Sequence, residues 1–299
     1  MIDKITRYER SKQQDYTFSI LIPTWNNLDY LKNCIESINQ HSTHRHQIVV
    51  FVNEGTDGTL EWLKKSGIDN LDFIHSPENA GICYAMNLCR PMVRSTYIAY
   101  MNDDMYALPG WDKEILHTIN GLNTNLFMVS GTLIEPLDTG NNCVVVKDYG
   151  TDLDSFRKED LLGEYHNLKR SNWMGSTWPP NVMHVDSWDL VGGFSTEFSP
   201  GMYSDPDFSL KLLHAGARDF LGVGSSLIYH FGSKSTRRVT RNLGRKTFIS
   251  KWGISSRVMG QKYLKIGEPY TGHLSEPDFS IRNDLFHRFK RALNSLKKD

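Results

Sequence analysis

Asn102-Asp103-Asp104 sets two carboxylates side by side directly after an apolar run, residues 96–101. Adjacent negative charges repel, and a turn does not need both of them. A divalent cation would remove that cost, and hard oxygen ligands suit Mg2+ or Mn2+. Such a cation can in turn hold a nucleotide diphosphate. The competing reading is a solvated turn, because Asn and Asp favour turns by bonding their own backbone. The segment alone leaves both open. Pro23-Thr24-Trp25 and Asn53-Glu54-Gly55 follow apolar runs in the same manner. The four cysteines, Cys34, Cys83, Cys89 and Cys143, form no C-x-x-C pair, so a zinc ribbon or redox dithiol has no support. They read as small buried hydrophobes of a reducing compartment.

The pattern around these segments alternates strand and helix. Continuous apolar runs at 18–22, 48–52, 71–74 and 96–101 predict buried strands. Leu28, Leu31, Ile35 and Ile38 recur at helical spacing, with Asn26 or Asn27 as N-cap. Leu60 and Leu63 predict a second helix, capped by Thr56 or Asp57, and Ile82, Ala85, Met86 and Cys89 a third. Trp111, Ile115 and Ile119 predict a fourth. Strands each followed by a helix imply right-handed crossovers and an α/β fold, with a mostly parallel sheet and helices on both faces. Ligands of such sheets bind beyond the carboxyl ends of the strands, where the three polar segments lie. Beyond residue 125 the pattern predicts a strand at 127–131, loops with a helix over 152–162, a helix over 205–215 and a strand at 226–231.

Lys plus Arg and Asp plus Glu both number 34, so the chain is formally neutral and no general nucleic-acid binder. No apolar run approaches the roughly 18 residues of a membrane-spanning helix. Residues 1–16 lack the apolar core of a signal peptide. A cytoplasmic location is therefore expected. In residues 281–299, Ile281, Leu285, Phe286, Phe289, Leu293 and Leu296 form one helical face. Six basic residues against two acidic ones give this tail a net +4. It reads either as an interfacial helix in peripheral contact with the inner face of a membrane or as a helix docked on the body.

Several segments together carry a resemblance. Phe18 to Asn27 looks like the opening strand and turn of glycosyltransferase family 2, and Val52 to Thr59 like its second strand-to-helix turn. Asn79-Ala80-Gly81-Ile82-Cys83-Tyr84-Ala85-Met86-Asn87 resembles the family's N-x-G-x-x-x-A-x-N element, and Asn102-Asp103-Asp104 its DxD-type metal motif. Val191 to Phe194, followed by Tyr203 to Leu210, resembles its acceptor-side segment. The resemblance covers residues 17–235. It implies a GT-A-type catalytic domain there, between an N-terminal extension over 1–16 and a C-terminal extension over 236–299.

What the resemblance implies is a metal-dependent, inverting transfer of a sugar from a nucleotide-sugar donor to an acceptor hydroxyl. The acceptor would be a saccharide or lipid-linked saccharide in cell-surface glycan synthesis. Pro23, Thr24, Asn53 and Glu54 would flank the nucleoside. Asn79, Gly81 and Asn87 would belong to the same donor site. Asn102 would lie near the ribose, and Asp103 could serve the sugar or the metal side. Asp104 and His230 would be the metal ligands, and Asp205 the general base. The chain departs from the family in Asn53-Glu54, where an Asp pair is usual, and in Ser204, where Glu is usual. An Asn amide both donates and accepts, so it can still read a base edge. For Asp205 the alternative is a helix N-cap before Pro206. Trp173, Trp178-Pro179-Pro180 and Trp188 could form a sugar platform or pack in the core. Lys234, Arg237 and Arg238 could approach the diphosphate or be solvated. Two other functions fit less well. A sugar-phosphate nucleotidyltransferase should show a glycine-rich basic loop after the first strand, and Pro23 to Asn27 has neither glycine nor base. A non-catalytic nucleotide-sugar or glycan-binding module would differ in failing to hydrolyse donor.

Overall fold

The apolar runs become the strands of one twisted sheet in the computed structural model, which describes residues 4–11, 15–232 and 243–280. In chain order its elements begin with β1 (Thr6–Tyr8), β2 (Phe18–Trp25), α1 (Leu28–His41), β3 (Gln47–Asn53) and α2 (Thr59–Lys65). Next come β4 (Leu71–Ser76), α3 (Gly81–Cys89), β5 (Tyr97–Tyr100), β6 (Met105–Ala107), α4 (Trp111–Asn120), β7 (Phe127–Glu135) and β8 (Val145–Val146). The rest are α5 (Lys158–Glu164), β9 (Trp173–Met174), β10 (Asn181–His184), α6 (Val185–Val191), α7 (Ser204–His214), β11 (Asp219–His230) and α8 (Gly244–Trp252).

The sheet runs β1-β4-β3-β2-β5-β10-β7-β11-β6, with β8 on β7 and β9 on β11. Its first half keeps the expected parallel pairing of β4, β3, β2 and β5. The chain order reverses direction across the sheet between β3-β2 and β2-β5, which makes a switch point at the end of β2. The second half is mixed: β10 lies antiparallel to both β5 and β7, and β6 antiparallel to β11. Pairing β10 with β5 joins residues about eighty positions apart, which local periodicity does not encode.

Both faces are covered, as continuous apolar strands require. Ile20, Ile22, Val50 and Val52 face α1, α2 and α4 through Leu31, Ile35, Leu63 and Trp111. Leu21, Val49 and Phe51 face α3, α7 and α8 through Met86, Phe208 and Phe248. All four cysteines are buried and free.

Three local expectations change. Neither Asn26 nor Asn27 caps α1 through its side chain; Asp57 accepts from the Leu28 N–H at 2.8 Å and from the Thr59 N–H at 3.1 Å, tying α1 to α2. No helix begins at Asp152, because its carboxylate closes a turn on the Ser155 N–H at 2.9 Å, and α5 starts at Lys158. Residues 244–274, expected as an extension, bury Phe248, Ile254, Met259, Leu264 and Leu274 in the same core cluster as α3 and α7. The tail helix over 281–299 and Lys234, Arg237 and Arg238 lie outside the described residues. Among those described, no helix is long and apolar enough to cross a membrane.

Candidate functional site

A cavity of about 750 Å3 opens at the carboxyl ends of β2 and β3 and beside the turn after β5. This size lies within the roughly 300–1,000 Å3 of small-molecule sites. Pro23, Thr24, Asn53, Asn79, Gly81, Asn102, Asp103, Asp104, Asp205 and His230 all line it. Six segments separated by up to about two hundred residues are thereby brought together at the switch point.

On one side the polar groups bind each other. Thr24 Oγ1 donates to Asp103 Oδ2 at 2.7 Å, which joins the end of β2 to the turn after β5. Asn53 Nδ2 donates to the Thr24 carbonyl at 3.2 Å, and its Oδ1 accepts from the Ala80 N–H at 2.8 Å. The Asn53 amide thus ties β2 to the start of α3. Asn79 Oδ1 accepts from the Gly81 N–H at 2.9 Å. Gly81 has φ +74°, and a Cβ there would stand 2.6 Å from Pro200 Cα. Glycine alone fits this crossing, which the Ile82 N–H fixes by donating to the Pro200 carbonyl at 2.6 Å. Two of the expected donor-site residues do not line the cavity. Glu54, at φ +62°, accepts from Asn26 Nδ2 at 3.0 Å. Asn87 is a clamp between α3 and the segment after α6: it donates to the Phe194 carbonyl at 2.7 Å and accepts from the Phe194 N–H at 2.8 Å.

At the centre stand Asp104, 2% exposed, and His230, 6% exposed. His230 Nε2 lies 3.4 Å from Asp104 Oδ1, and its Nδ1 lies 2.8 Å from Glu135 Oε1. Burial opposes the imidazolium, but the hydrogen bonds to Asp104 and Glu135 outweigh it and push His230 up to about 9. Among the described residues no three His, Cys, Asp or Glu side chains converge as a complete metal site. The donor set nevertheless fits a hard divalent cation as half a site. Mg2+-type ions are commonly held by one or two protein groups, with substrate phosphates completing the shell. A carboxylate on the far ring nitrogen, as Glu135 is on His230, orients a ligating imidazole.

Asp205 stands at the first turn of α7, whose N-cap is Tyr203 in a left-handed conformation, φ +74°. Asp205 therefore does not cap the helix. Its Oδ1 is buried with no hydrogen-bond partner among the described residues, and burial pushes the carboxyl up to about 7. The neighbouring acid behaves otherwise. Asp207 accepts from Ser195 Oγ at 2.6 Å and Trp252 Nε1 at 2.8 Å, and pairs with Lys251 at 2.8 Å. It is wholly buried and latches α7 to α8.

Of the tryptophans, Trp178 lines the cavity and is 39% exposed. Trp188 packs in the core, and Trp173 is buried with its Nε1 on Thr132 Oγ1 at 2.9 Å. Three contributors were missed from the sequence. Glu135 ends a strand exactly as the Asn102 turn does, and the same strand-end rule applied to β7 would have found it. Tyr100 ends β5 and lines the cavity, but as one more aromatic in an apolar run it gives no signal. The wall formed by Ser256, Arg257, Met259, Gly260, Gln261 and Ile266 comes from a segment without a recognisable motif.

The sequence model described as glycosyl transferase family 2 matches residues 19–167, about half of the chain. An uncharacterized glycosyltransferase of Rickettsia typhi is 29% identical over 115 residues, 38% of this chain and 34% of that protein. The uncharacterized glycosyltransferase YfnE of Bacillus subtilis is 32% identical over 91 residues, 30% of this chain and 23% of YfnE. The matched region thus spans about a third or less of these curated relatives. Among solved structures, S. aureus TarS 1–349 in complex with UDP superposes with a TM-score of 0.52 at 13% identity, covering 71% of this chain and 60% of that one. GalNAc-T7 with UDP, GalNAc and Mn2+ gives 0.56 at 13% identity, covering 78% and 48%. At such identities the likeness is one of fold, the GT-A arrangement.

Proposed function

The chain belongs to glycosyl transferase family 2, and from that premise we propose that it moves a sugar from a nucleotide-sugar donor to an acceptor hydroxyl with inversion. The observation that carries this reading is Asp205: its carboxyl has a buried oxygen with no hydrogen-bond partner among the described residues, in the same cavity as the Asp104–His230 pair. A general base poised near neutral pH is what deprotonating a hydroxyl requires. Asp205 takes the proton of the acceptor hydroxyl as that oxygen attacks the anomeric carbon. The bond to the diphosphate breaks in the same displacement, so the configuration inverts.

The donor lies across the β2, β3 and α3 termini. Thr24 and Asp103 brace that wall, and Gly81 keeps the Pro200 loop close. Asp104 and His230 would hold a divalent cation, Mn2+ or Mg2+, which supplies Lewis acidity for the departing diphosphate. Glu135 keeps the His230 ring in place. The UDP of the TarS structure and the UDP and Mn2+ of the GalNAc-T7 structure support a nucleoside diphosphate as probe. The acceptor we infer is a saccharide or lipid-linked saccharide of a cell-surface glycan.

Thermal unfolding with UDP and other nucleoside diphosphates, with and without Mn2+, tests this reading, because a ligand of the native state raises apparent stability. A nucleoside diphosphate should raise the melting temperature, and more so with Mn2+. Asp104→Ala should remove the Mn2+ increment while leaving a cooperative transition. Turnover that persists in excess chelator would refute the metal assignment, and no shift with any nucleoside diphosphate would refute the donor assignment.

A further inference from the structure

The wall missed from the sequence is an arch, residues 256–266, spanning the cavity between two fixed abutments. At one end α8 is bolted to the helix that carries Asp205. Lys251 and Trp252 both bind Asp207, and Phe248 packs against Phe198 and Tyr203, with ring centroids 6.5 and 5.7 Å away. At the other end the chain is stitched to the strand that precedes Trp178. The Gly267 N–H donates to the Met174 carbonyl at 2.9 Å, and the Met174 N–H donates to the Glu268 carbonyl at 2.8 Å. A Cβ on Gly175 would stand 2.6 Å from Ile266 Cα, so the two backbones touch. Met259 and Leu264, buried in the core, hold the arch down. Arg257 and Gln261 are left exposed on it, and both line the cavity.

Among the described residues, the charges that line the cavity are lopsided. Asp103, Asp104, Glu135 and Asp205 line it, and Arg257 is the single Lys or Arg among the described residues that do. None of those carboxylates pairs with Arg257, which makes no hydrogen bond or ion pair among the described residues. A guanidinium presents a planar fork of donors that matches a carboxylate or phosphate in bidentate fashion. It stands here on the element that bridges the general base and Trp178, whose exposed ring offers an apolar face to a sugar.

We propose that this arch is the acceptor-recognition element and that Arg257 selects an acceptor saccharide carrying an oxyanion, either a carboxylate or a phosphate ester. The inference rests on the glycosyl-transfer reading above and names the acceptor class for it. Trp178 stacks on the sugar ring, Arg257 binds its anionic substituent, and the hydroxyl is thereby presented to Asp205.

Ligand-observed NMR titration of the full chain, saturated with UDP and Mn2+, tests the proposal with three probes: glucose, glucuronate and glucose 6-phosphate. At least one anionic sugar should bind at least tenfold tighter than glucose, and the two anionic arms tell carboxylate from phosphate ester. Arg257→Gln should abolish that preference, and Arg257→Lys should retain part of it. Affinity for UDP and the melting temperature should stay unchanged in both variants, since Arg257 is exposed. Equal binding of all three sugars, binding of none, or a preference that survives Arg257→Gln would overturn the proposal. So would a loss of UDP affinity in Arg257→Gln, which would assign the arginine to the donor. A wild-type chain that binds no nucleoside diphosphate would instead bring down the glycosyl-transfer reading itself.

Discussion

Two carboxylates two positions apart on one helix have opposite fates: Asp207 is wholly buried, whereas Asp205 is half-buried at the cavity wall. Asp207 is surrounded by donors, whereas Asp205 keeps a buried oxygen with none. The difference becomes measurable with pH. A carboxyl whose folded pKa is raised, here to about 7, holds its proton in the folded state where the unfolded chain has already lost it. Its ionisation therefore costs stability as pH rises from about 4 toward 7. Transfer, which needs the ionised form, should rise through the same region with an apparent pKa near 7. Asp205→Asn should lower transfer by roughly 10²–10⁴-fold, the contribution of a general base. It should also flatten the fall in melting temperature between about pH 4 and pH 7. A pH–rate profile and melting curves on both proteins check this, and near-normal transfer by the variant would move the base elsewhere. At this scale the sequence showed Asp205 only through its resemblance to a family pattern. It could not show the buried oxygen left without a partner among the described residues, because that depends on which distant groups the fold packs around it.

The elements explain which residues were legible. Pro23, Thr24, Asn53 and Asn102 to Asp104 each close a strand in the regular βα half, so the strand-end rule finds them. Asn87, expected in the donor site, instead stands off the cavity and clamps Phe194 with one N–H and its oxygen. The half beyond residue 125 is built from antiparallel and bulged pairings, such as the shift in β11 between Val223 and Leu227, and these leave no periodic trace. Likewise, no pattern announces the latch between α7 and α8, which joins Asp207 to Lys251 across forty-four positions. Removing Asp207 leaves Ser195 Oγ and Trp252 Nε1 short of an acceptor, while Lys251 keeps Glu197 at 2.8 Å. Asp207→Ala should therefore cost about 1–3 kcal/mol, the usual penalty of leaving buried polar groups unsatisfied. Urea unfolding should show the midpoint falling with the slope unchanged. Nucleoside diphosphate affinity should survive, because none of Ser195, Asp207, Lys251 and Trp252 lines the cavity.

For the molecule as a whole, the consequence is where the folding unit ends. Resemblance alone places the boundary at residue 235, since the recognisable motifs stop there. Packing places it later. Phe248, Ile249, Ile254, Met259, Tyr263, Leu264 and Leu274 are each buried in the folded chain. At roughly 1.5–3 kcal/mol for each buried apolar side chain, their loss removes on the order of 10–20 kcal/mol. That equals or exceeds the entire net stability of about 5–15 kcal/mol typical of a folded protein. The same segment carries the arch that walls the cavity, so fold and site share one determinant. A chain ending at residue 235 should therefore lack a cooperative thermal transition and near-ultraviolet dichroism, and it should bind no nucleoside diphosphate. A chain ending at residue 280 should keep all three, because it retains every one of these buried side chains. Cooperative melting of the shorter chain would show that the βα half and its antiparallel partner strands stand without the arch. The boundary would then lie where the motifs stop.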